Sequence, residues 1–494
     1  MKDFWSRCAW VLVAALTLVR LAITAKTGIS DTEAYYVGWA RWPDLSYYDH
    51  PPLVAWTTWL VSRVATSAFA VRLVPVACAA AFGLLVFRLA RRFFTPRASF
   101  FALMLVSALP AFMMTSVLVN PEGLLAPLWV LIIGAIYDLR RRDEWWRPIV
   151  LGALIGLAFL AKYTAVLAVP LTLAWVINER PARKWLTRPA FYAGGGVALL
   201  LASPVIAWNA MRGFPSVRLH LVERAARPSV ATYAANALHT VTSQLGLFHP
   251  LVFPALIVAA IVVVRRRADE RYRFLAWVGL PTLAFFVVMM VRVTDAEPHW
   301  TMVAYVPLAI ALGALLDESF ARWRTYVVAV AISSSLALGV YVVHIASPVL
   351  LRLIPASVYE ASADPINETL GWDRITPAVA RAADKLGPRA VVVSNHNVLC
   401  GHLEVALGDA PNVYCASARR TEFDFVGRGV VPRDAPVVYV ETARYPRAPS
   451  EVLGSRECAI AEDVDVTRAG RVVQRVRIWS CATAQTNDTR QAAR

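Results

Sequence analysis

A few charged residues stand out because each interrupts apolar or aromatic surroundings. Asp31-Thr32-Glu33 follows the first apolar segment, Tyr48-Asp49-His50-Pro51-Pro52 closes an aromatic-rich stretch, and Asn120-Pro121-Glu122-Gly123 is the whole link between two apolar segments. Lys162 breaks an apolar run from Ile149 to Ile177. Later polar stretches hold His220, Glu223, Arg224 and Arg227, and then Asp295-Ala296-Glu297-Pro298-His299-Trp300. Carboxylates can activate a nucleophile or hold a metal, and Lys or Arg can stabilise a departing phosphate. The combination suits a phosphate-bearing substrate whose reactive bond sits at a membrane surface. No Gly-rich phosphate loop ending in Lys-Ser/Thr is present, so no nucleotide cofactor is expected and the energy must come with the substrate.

The elements that position these residues are membrane spans. Of 494 residues 58% are hydrophobic, and mean hydropathy is +0.51. A span needs roughly 20 apolar residues. The candidates are 8–25, 69–89, 99–119, 123–139, 149–161, 163–177, 190–208, 247–264, 274–291, 301–316 and 326–345, about eleven in all, two of them short. The run around Lys162 must be two of these. It is flanked by Arg140–Arg147 and Arg180–Arg188, and two basic loops on the cytoplasmic side require an even number of crossings between them. The chain therefore turns at Ala161-Lys162-Tyr163 and leaves a lone cation near the outer boundary, where a charge costs enough to mark a functional site.

The net charge of +16 follows the same logic. Arg-rich segments at 88–97, 140–147, 180–188, 265–273 and 322–324 fall in alternate loops, so the excess is topological and nucleic acid is not an expected partner. With Lys2 and Arg7 inside, eleven crossings leave the C-terminus outside. The first apolar segment reads as an uncleaved helix, since Ala22-Ile23-Thr24-Ala25 is a loose match to a cleavage site.

Residues 1–346 read as the membrane domain, with outer loops at 26–68, 209–246 and 292–300. The 26–68 loop places Tyr35, Tyr36, Trp39 and Trp42 at helical intervals, as in a helix lying on the membrane. Two prolines hold Asp49 and His50 on a stiff turn suited to a metal or a charged headgroup. Residues 347–494 lack a span-length apolar run and read as a soluble α/β domain, with strands at Ala390–Ser394 and Pro436–Val440 and a helix at Pro377–Leu386. Four of the six cysteines lie there, Cys400, Cys415, Cys458 and Cys481. Outside the cytoplasm they can form disulfides in three possible pairings, with four free thiols as the alternative.

Asp31-Thr32-Glu33-Ala34-Tyr35-Tyr36, Tyr48-Asp49-His50-Pro51-Pro52-Leu53, Asn120-Pro121-Glu122, Ala161-Lys162-Tyr163-Thr164 and Glu297-Pro298-His299-Trp300 occur in an order that resembles the bacterial GT-C glycosyltransferases. These include the dolichyl-phosphate-mannose-protein mannosyltransferase-like proteins and the aminoarabinose transferases that modify lipid A. The resemblance covers about residues 5–345. It implies a polytopic α-helical membrane protein of GT-C-like fold with a C-terminal periplasmic domain. It also implies transfer of a sugar, hexose or pentose, from a polyprenyl-phosphate donor to an envelope acceptor on the outer face of the cytoplasmic membrane.

The resemblance further implies residue roles. Asp31 matches the acidic residue of the first loop that acts as base or positions the acceptor, with Glu33 beside it where the usual motif has adjacent Asp-Glu. Glu122 stands at the acidic position of the second short loop. Lys162 matches the lysine that binds the donor phosphate, with Arg224 and His299 as further phosphate candidates. Asp49 matches an acidic position that contributes to metal binding in the lipid A transferases, and with His50 and His220 it could hold a divalent metal, although His50 replaces a lysine of that pattern. A lipid-linked-sugar transporter or a non-catalytic envelope-assembly protein is the competing expectation. The absence of internal repeats and of charges strung along a path weighs against transport.

Overall fold

The computed structural model describes residues 2–224, 229–293, 296–409 and 411–483. They divide into two compact units, one of Met1–Ala22, His50–Val54 and Arg72–Gly339, the other of Ile23–Asp49, Ala55–Val71 and Val340–Arg494. The second unit joins N-terminal segments to the C-terminal part of the chain. It takes in most of the stretch read as the first outer loop.

The first unit is helical. Seven helices among the described residues are long and apolar enough to cross a membrane, and an eighth crossing arises if the pair Ala231–Leu247 and Val252–Arg265, bent by 108°, is counted as one. The expected count of about eleven is not confirmed by helices of that length; the shorter apolar helices Leu53–Ser62, Pro96–Ser107, Arg147–Ala161 and Tyr163–Asn178 stand outside it. The segment read as 99–119 is two short helices, Pro96–Ser107 and Pro110–Thr115, broken before a proline that cannot continue the ladder. The second half of the 209–246 segment read as a loop is the helix Val230–Leu247, capped by Ser229.

The turn at Lys162 is present. Helix Arg147–Ala161 ends there, Lys162 is extended (φ −155°, ψ 135°), and a short 3-10 turn, Tyr163–Leu167, leads into helix Ala168–Asn178. Side-chain pairs show that the two run out and back along helix Pro121–Arg141. Arg147 reaches Asp138 (3.0 Å) near one end of that helix, Lys162 pairs with Glu122 at the other, and Glu179 returns to Arg140 (2.8 Å). Gly152 lets helix Arg147–Ala161 also pack closely on helix Pro189–Met211, since a Cβ there would sit 1.9 Å from the carbonyl oxygen of Gly194. At the Arg140 end the basic segments neutralise one another's carboxylates. Arg92 meets Asp138 (3.0 Å), Arg273 meets Glu179 (3.3 Å) and Arg266 meets Glu318 (2.7 Å).

The second unit is built on a five-stranded sheet of β1 (Val391–Ser394), β2 (Val413–Cys415), β3 (Val437–Thr442), β4 (Cys458–Arg468) and β5 (Arg471–Cys481), in the order β2-β1-β3-β5-β4. β1 pairs in parallel with β2 and β3, while β5 runs antiparallel to β3 and β4. Alternation along the strands sorts the side chains. Val391, Val393, Val437 and Tyr439 enter one apolar cluster, and Val392, Val438 and Val440 the other. The second cluster is covered by helix Trp372–Leu386, through Ile375, Ala378, Val379 and Ala382 at helical spacing, and by helix Asn397–Leu407.

Tyr35 and Trp39 belong to that same cluster. The helix Asp31–Trp39 is thus not laid on a membrane by its aromatic face. It packs against helix Asn397–Leu407, where Gly401 leaves room: a Cβ at 401 would fall 2.6 Å from the Cα of Tyr35. Of the four cysteines, Cys458 and Cys481 are bonded across β4 and β5, whereas Cys400 and Cys415 are free and buried.

Candidate active site

In the first unit the site begins with the Asn120 turn. Asn120 caps helix Pro121–Arg141 by accepting from the Gly123 N–H (2.8 Å) and donates to the carbonyls of Thr115 (2.9 Å) and Leu118 (2.6 Å). Pro121 at the first helical position needs no N–H partner. Glu122 follows in the first turn, where the helix dipole favours a carboxylate, and is 8% exposed. It forms a buried ion pair with Lys162, itself 5% exposed, and its Oε1 lies 2.9 Å from His299 Nε2.

His299 is held by a neighbouring network. Gln244 donates to the Pro298 carbonyl (3.0 Å), and its Oε1 accepts from Thr301 (2.8 Å) and Tyr305 (2.8 Å), which fixes the 298–301 turn. Lys162 Nζ lies 5.6 Å from the centre of the Trp300 ring, close enough for a cation–π attraction. His50 also belongs to this cluster. Burial and the nearby Lys162, His220 and Arg224 push it well below the ordinary imidazole range, with Glu122 opposing. The His220 ring packs on Tyr163 (5.1 Å between centroids) in the π-turn Leu219–Glu223, and Arg224 follows with its Nε buried and without a hydrogen-bond partner among the described residues.

The structure therefore brings Glu122, Lys162, His299, His50, His220 and Arg224 together. Glu122 stands among Lys162, Arg224 and three imidazoles, with Glu297 Oε2 4.0 Å from His299 Nδ1 at the more exposed edge, and the two permanent cations are the groups that can meet a phosphate. The same surroundings fit a divalent ion poorly, because Lys162 and Arg224 would repel it. Among the described residues no group of three or more His, Cys, Asp or Glu side chains is arranged to hold a metal. Asp49, in the second unit, instead accepts from Tyr35 OH (2.7 Å). Arg227 and Asp295 lie outside the described residues.

Asp31 and Glu33 lie in the second unit and separate in role. Ser30 and Glu33 form a reciprocal cap: Ser30 Oγ accepts from the Glu33 N–H (3.4 Å), and Glu33 Oε2 accepts from the Ser30 N–H (3.3 Å). Asp31 is 4% exposed, and its Oδ1 lies 2.8 Å from His402 Nδ1. The His402 ring is stacked on Trp372 (3.5 Å between centroids). The Asp31 N–H donates to Glu368 (3.2 Å), which pairs with Arg444. Asp31 is thus held through its carboxylate by His402 and through its backbone N–H by Glu368.

His402, Glu368, Arg444 and Gln244 escaped the sequence reading. A histidine within the apolar helix Asn397–Leu407, beside a glycine, was the available signal for the first of these.

The described residues define a polytopic, largely helical membrane protein with a second unit built on an α/β sheet. Residues 49–208 match the family model for dolichyl-phosphate-mannose-protein mannosyltransferase. The chain is 25% identical over 400 residues, 80% of its own length and 81% of the relative's, to the lipid A galacturonosyltransferase RgtD of Rhizobium johnstonii. Its fold is similar to that of ArnT from Cupriavidus metallidurans bound to undecaprenyl phosphate, with a TM-score of 0.63 and 15% identity over 97% of this chain and 98% of that one. The archaeal oligosaccharyltransferase AglB from Archaeoglobus fulgidus, in complex with an inhibitory peptide and a dolichol-phosphate, matches with a TM-score of 0.51 and 14% identity over 82% of this chain and 64% of that one.

Proposed function

We propose that this protein is an integral-membrane glycosyltransferase that moves a hexose or pentose from a polyprenyl-phosphate donor to a cell-envelope acceptor, at the outer face of the cytoplasmic membrane. The observation that carries the reading is the Glu122–Lys162–His299 cluster at the break between two short helices, with His50, His220 and Arg224 around it. A glycosyl phosphate already contains its leaving group. The enzyme must bind that phosphate, stabilise the charge that grows on it, and deprotonate the incoming nucleophile.

Lys162 and Arg224 supply the charge for the lipid phosphate. Glu122 holds Lys162 and His299 in place, so its role is positional rather than that of a base. Asp31, oriented by His402 and Glu368, is the proposed base, and attack at the anomeric carbon with departure of the lipid phosphate inverts that centre. The similarity to a lipid A galacturonosyltransferase supports a lipid A-like acceptor. The arginine-rich helix ends support an orientation that leaves the Lys162 end outside.

The test is transfer from a synthetic polyprenyl-phosphate sugar by protein purified in detergent. Lys162→Ala and Asp31→Asn should each abolish it with insertion intact, and wild-type rates in both variants would sink the assignment. Mass spectrometry of envelope lipids from a deletion strain names donor and acceptor together.

A further inference from the structure

The second unit holds a cleft of about 440 Å³ apart from the clusters described above. Its place in the sheet is specific. From β1 the chain passes through helix Asn397–Leu407 to β2 on one side, then returns to β3 on the other side of β1. Such a reversal opens a crevice at the carboxyl ends of the parallel strands, where α/β sheets bind ligands. The lining comes from the segments that follow all three: Asn395 and His396 after β1, Ser417 and Arg419 after β2, Tyr445 and Arg447 after β3.

The chemistry of the lining is cationic and aromatic. Among the described residues neither Arg419 nor Arg447 has a carboxylate partner, whereas Arg444 is paired with Glu368. His396 stacks on Tyr445, with ring centroids 3.9 Å apart and planes within 10°, and its Nδ1 is buried without a hydrogen-bond partner among the described residues. Burial and then Arg419 hold the pKa of His396 down at about 4, so the ring adds no charge of its own at neutral pH. His396 is also the N-cap of helix Asn397–Leu407 and makes no side-chain capping bond, which leaves first-turn N–H groups for an anion. Asn395, 7% exposed, fixes the Tyr445 segment by donating to its carbonyl (3.1 Å).

We infer that this cleft binds an anionic sugar, phosphorylated or uronic, with Arg419 and Arg447 on the anion and the His396–Tyr445 stack bordering the ring. Glu368 accepts from the Asp31 N–H (3.2 Å) and pairs with Arg444, the residue before Tyr445 of the lining, so the bound group lies in the surroundings of the proposed base. The cleft is therefore a subsite for the acceptor's charged headgroup. That last step rests on the function proposed above; the binding itself does not.

The test is saturation-transfer NMR and calorimetry on the full-length protein in neutral detergent, with glucose 1-phosphate, glucuronate and neutral glucose as probes. One or both anionic sugars should bind, glucose should bind at least tenfold more weakly, and Arg419→Ala/Arg447→Ala should cost at least tenfold in affinity. Lys162→Ala should leave this binding intact, which separates the cleft from the donor site. Binding of glucose 1-phosphate alone assigns a phosphate-bearing headgroup, and of glucuronate alone a uronic one. Arg419→Lys/Arg447→Lys, which keeps the charge, should keep part of the affinity and serves if the alanine variant is unstable. Equal binding of glucose, or unchanged affinity in the alanine variant, overturns the inference. Loss of sugar transfer in the wild type would remove the word acceptor and leave the binding result standing.

Discussion

His402 Nδ1 lies 2.8 Å from Oδ1 of Asp31, although 371 residues separate them in the chain. Both side chains are buried, and the Trp372 ring supports the imidazole from behind. His402 is thus a positioning residue for the proposed base. His402→Phe keeps the stack and removes the polar contact. A hydrogen bond to a charged group is worth about 1.5–3 kcal/mol, so kcat should fall roughly 10- to 100-fold, with KM for the lipid donor unchanged. His402→Gln, which can still donate, should recover much of the rate. A fall in donor affinity instead of kcat would contradict the positioning role.

Lys162 and Glu122 depend on each other in a way that separates stability from chemistry. Removing one partner of a buried pair leaves an uncompensated charge and costs about 3–5 kcal/mol. Lys162→Met should therefore lower the unfolding temperature in detergent, and Glu122→Gln/Lys162→Met should restore most of it. Neither variant should transfer sugar. A stable, active double variant would show that the pair serves structure alone.

Gly401 is placed where any side chain meets the Tyr35 backbone, 2.6 Å from its Cα. Gly401→Ala forces the two helices apart, and overpacking of this kind costs about 1–3 kcal/mol. The variant should melt earlier and turn over more slowly, because the displaced helix carries Asp31. Unchanged melting and kcat would mean that the helices can separate at no cost.

His396 gives the second unit a pH dependence of known sign. In the folded protein its ring takes up a proton only near pH 4, because burial disfavours the charge, against about 6.5 when unfolded. Between those values the unfolded chain binds more protons, so this group's contribution to stability is complete above about pH 6.5 and is lost as pH falls towards 4. Thermal unfolding followed from pH 7 to pH 4 should show that loss, and His396→Phe should flatten it. An identical slope in the variant would exclude His396 as its source.

One disulfide closes a loop between residues 23 apart in sequence, Cys458 and Cys481. Non-reducing peptide mapping should find this bond and four alkylatable thiols at Cys8, Cys78, Cys400 and Cys415. In the chain-entropy account a loop of this size contributes about 3 kcal/mol, so mild reduction should lower the melting temperature of the native protein. A Cys400–Cys415 bond in the map would overturn the assignment.

What the sequence made legible was local or charge-driven. The turn at Lys162 followed from basic flanks alone, because an even number of crossings is a geometric necessity. Strands at 391–394 and 437–442 followed from runs of valine. The breaks within spans did not, because hydropathy does not report the one at Leu109-Pro110 or the bend after Leu247. Tyr35 and Trp39 were misplaced for a related reason: an aromatic face shows that something covers it, not whether that is lipid or another helix. His402, Glu368 and Arg444 reach the Asp31 segment over more than 330 residues, and no local spacing announces such a contact.

The packing of helix Asp31–Trp39 against Asn397–Leu407 also sets an order of events in time. A ribosome delivers Asp31 early and His402 late, with hundreds of residues threaded into the bilayer between them. Until the last third of the chain has emerged, Tyr35 and Trp39 have no core to enter and Asp31 has no imidazole beside it. Any truncated product that stops before residue 397 lacks the partner helix, so premature termination yields a protein whose proposed base is never set in place. Synthesis at least through helix Asn397–Leu407 is thereby a condition for the proposed activity, written into the fold itself.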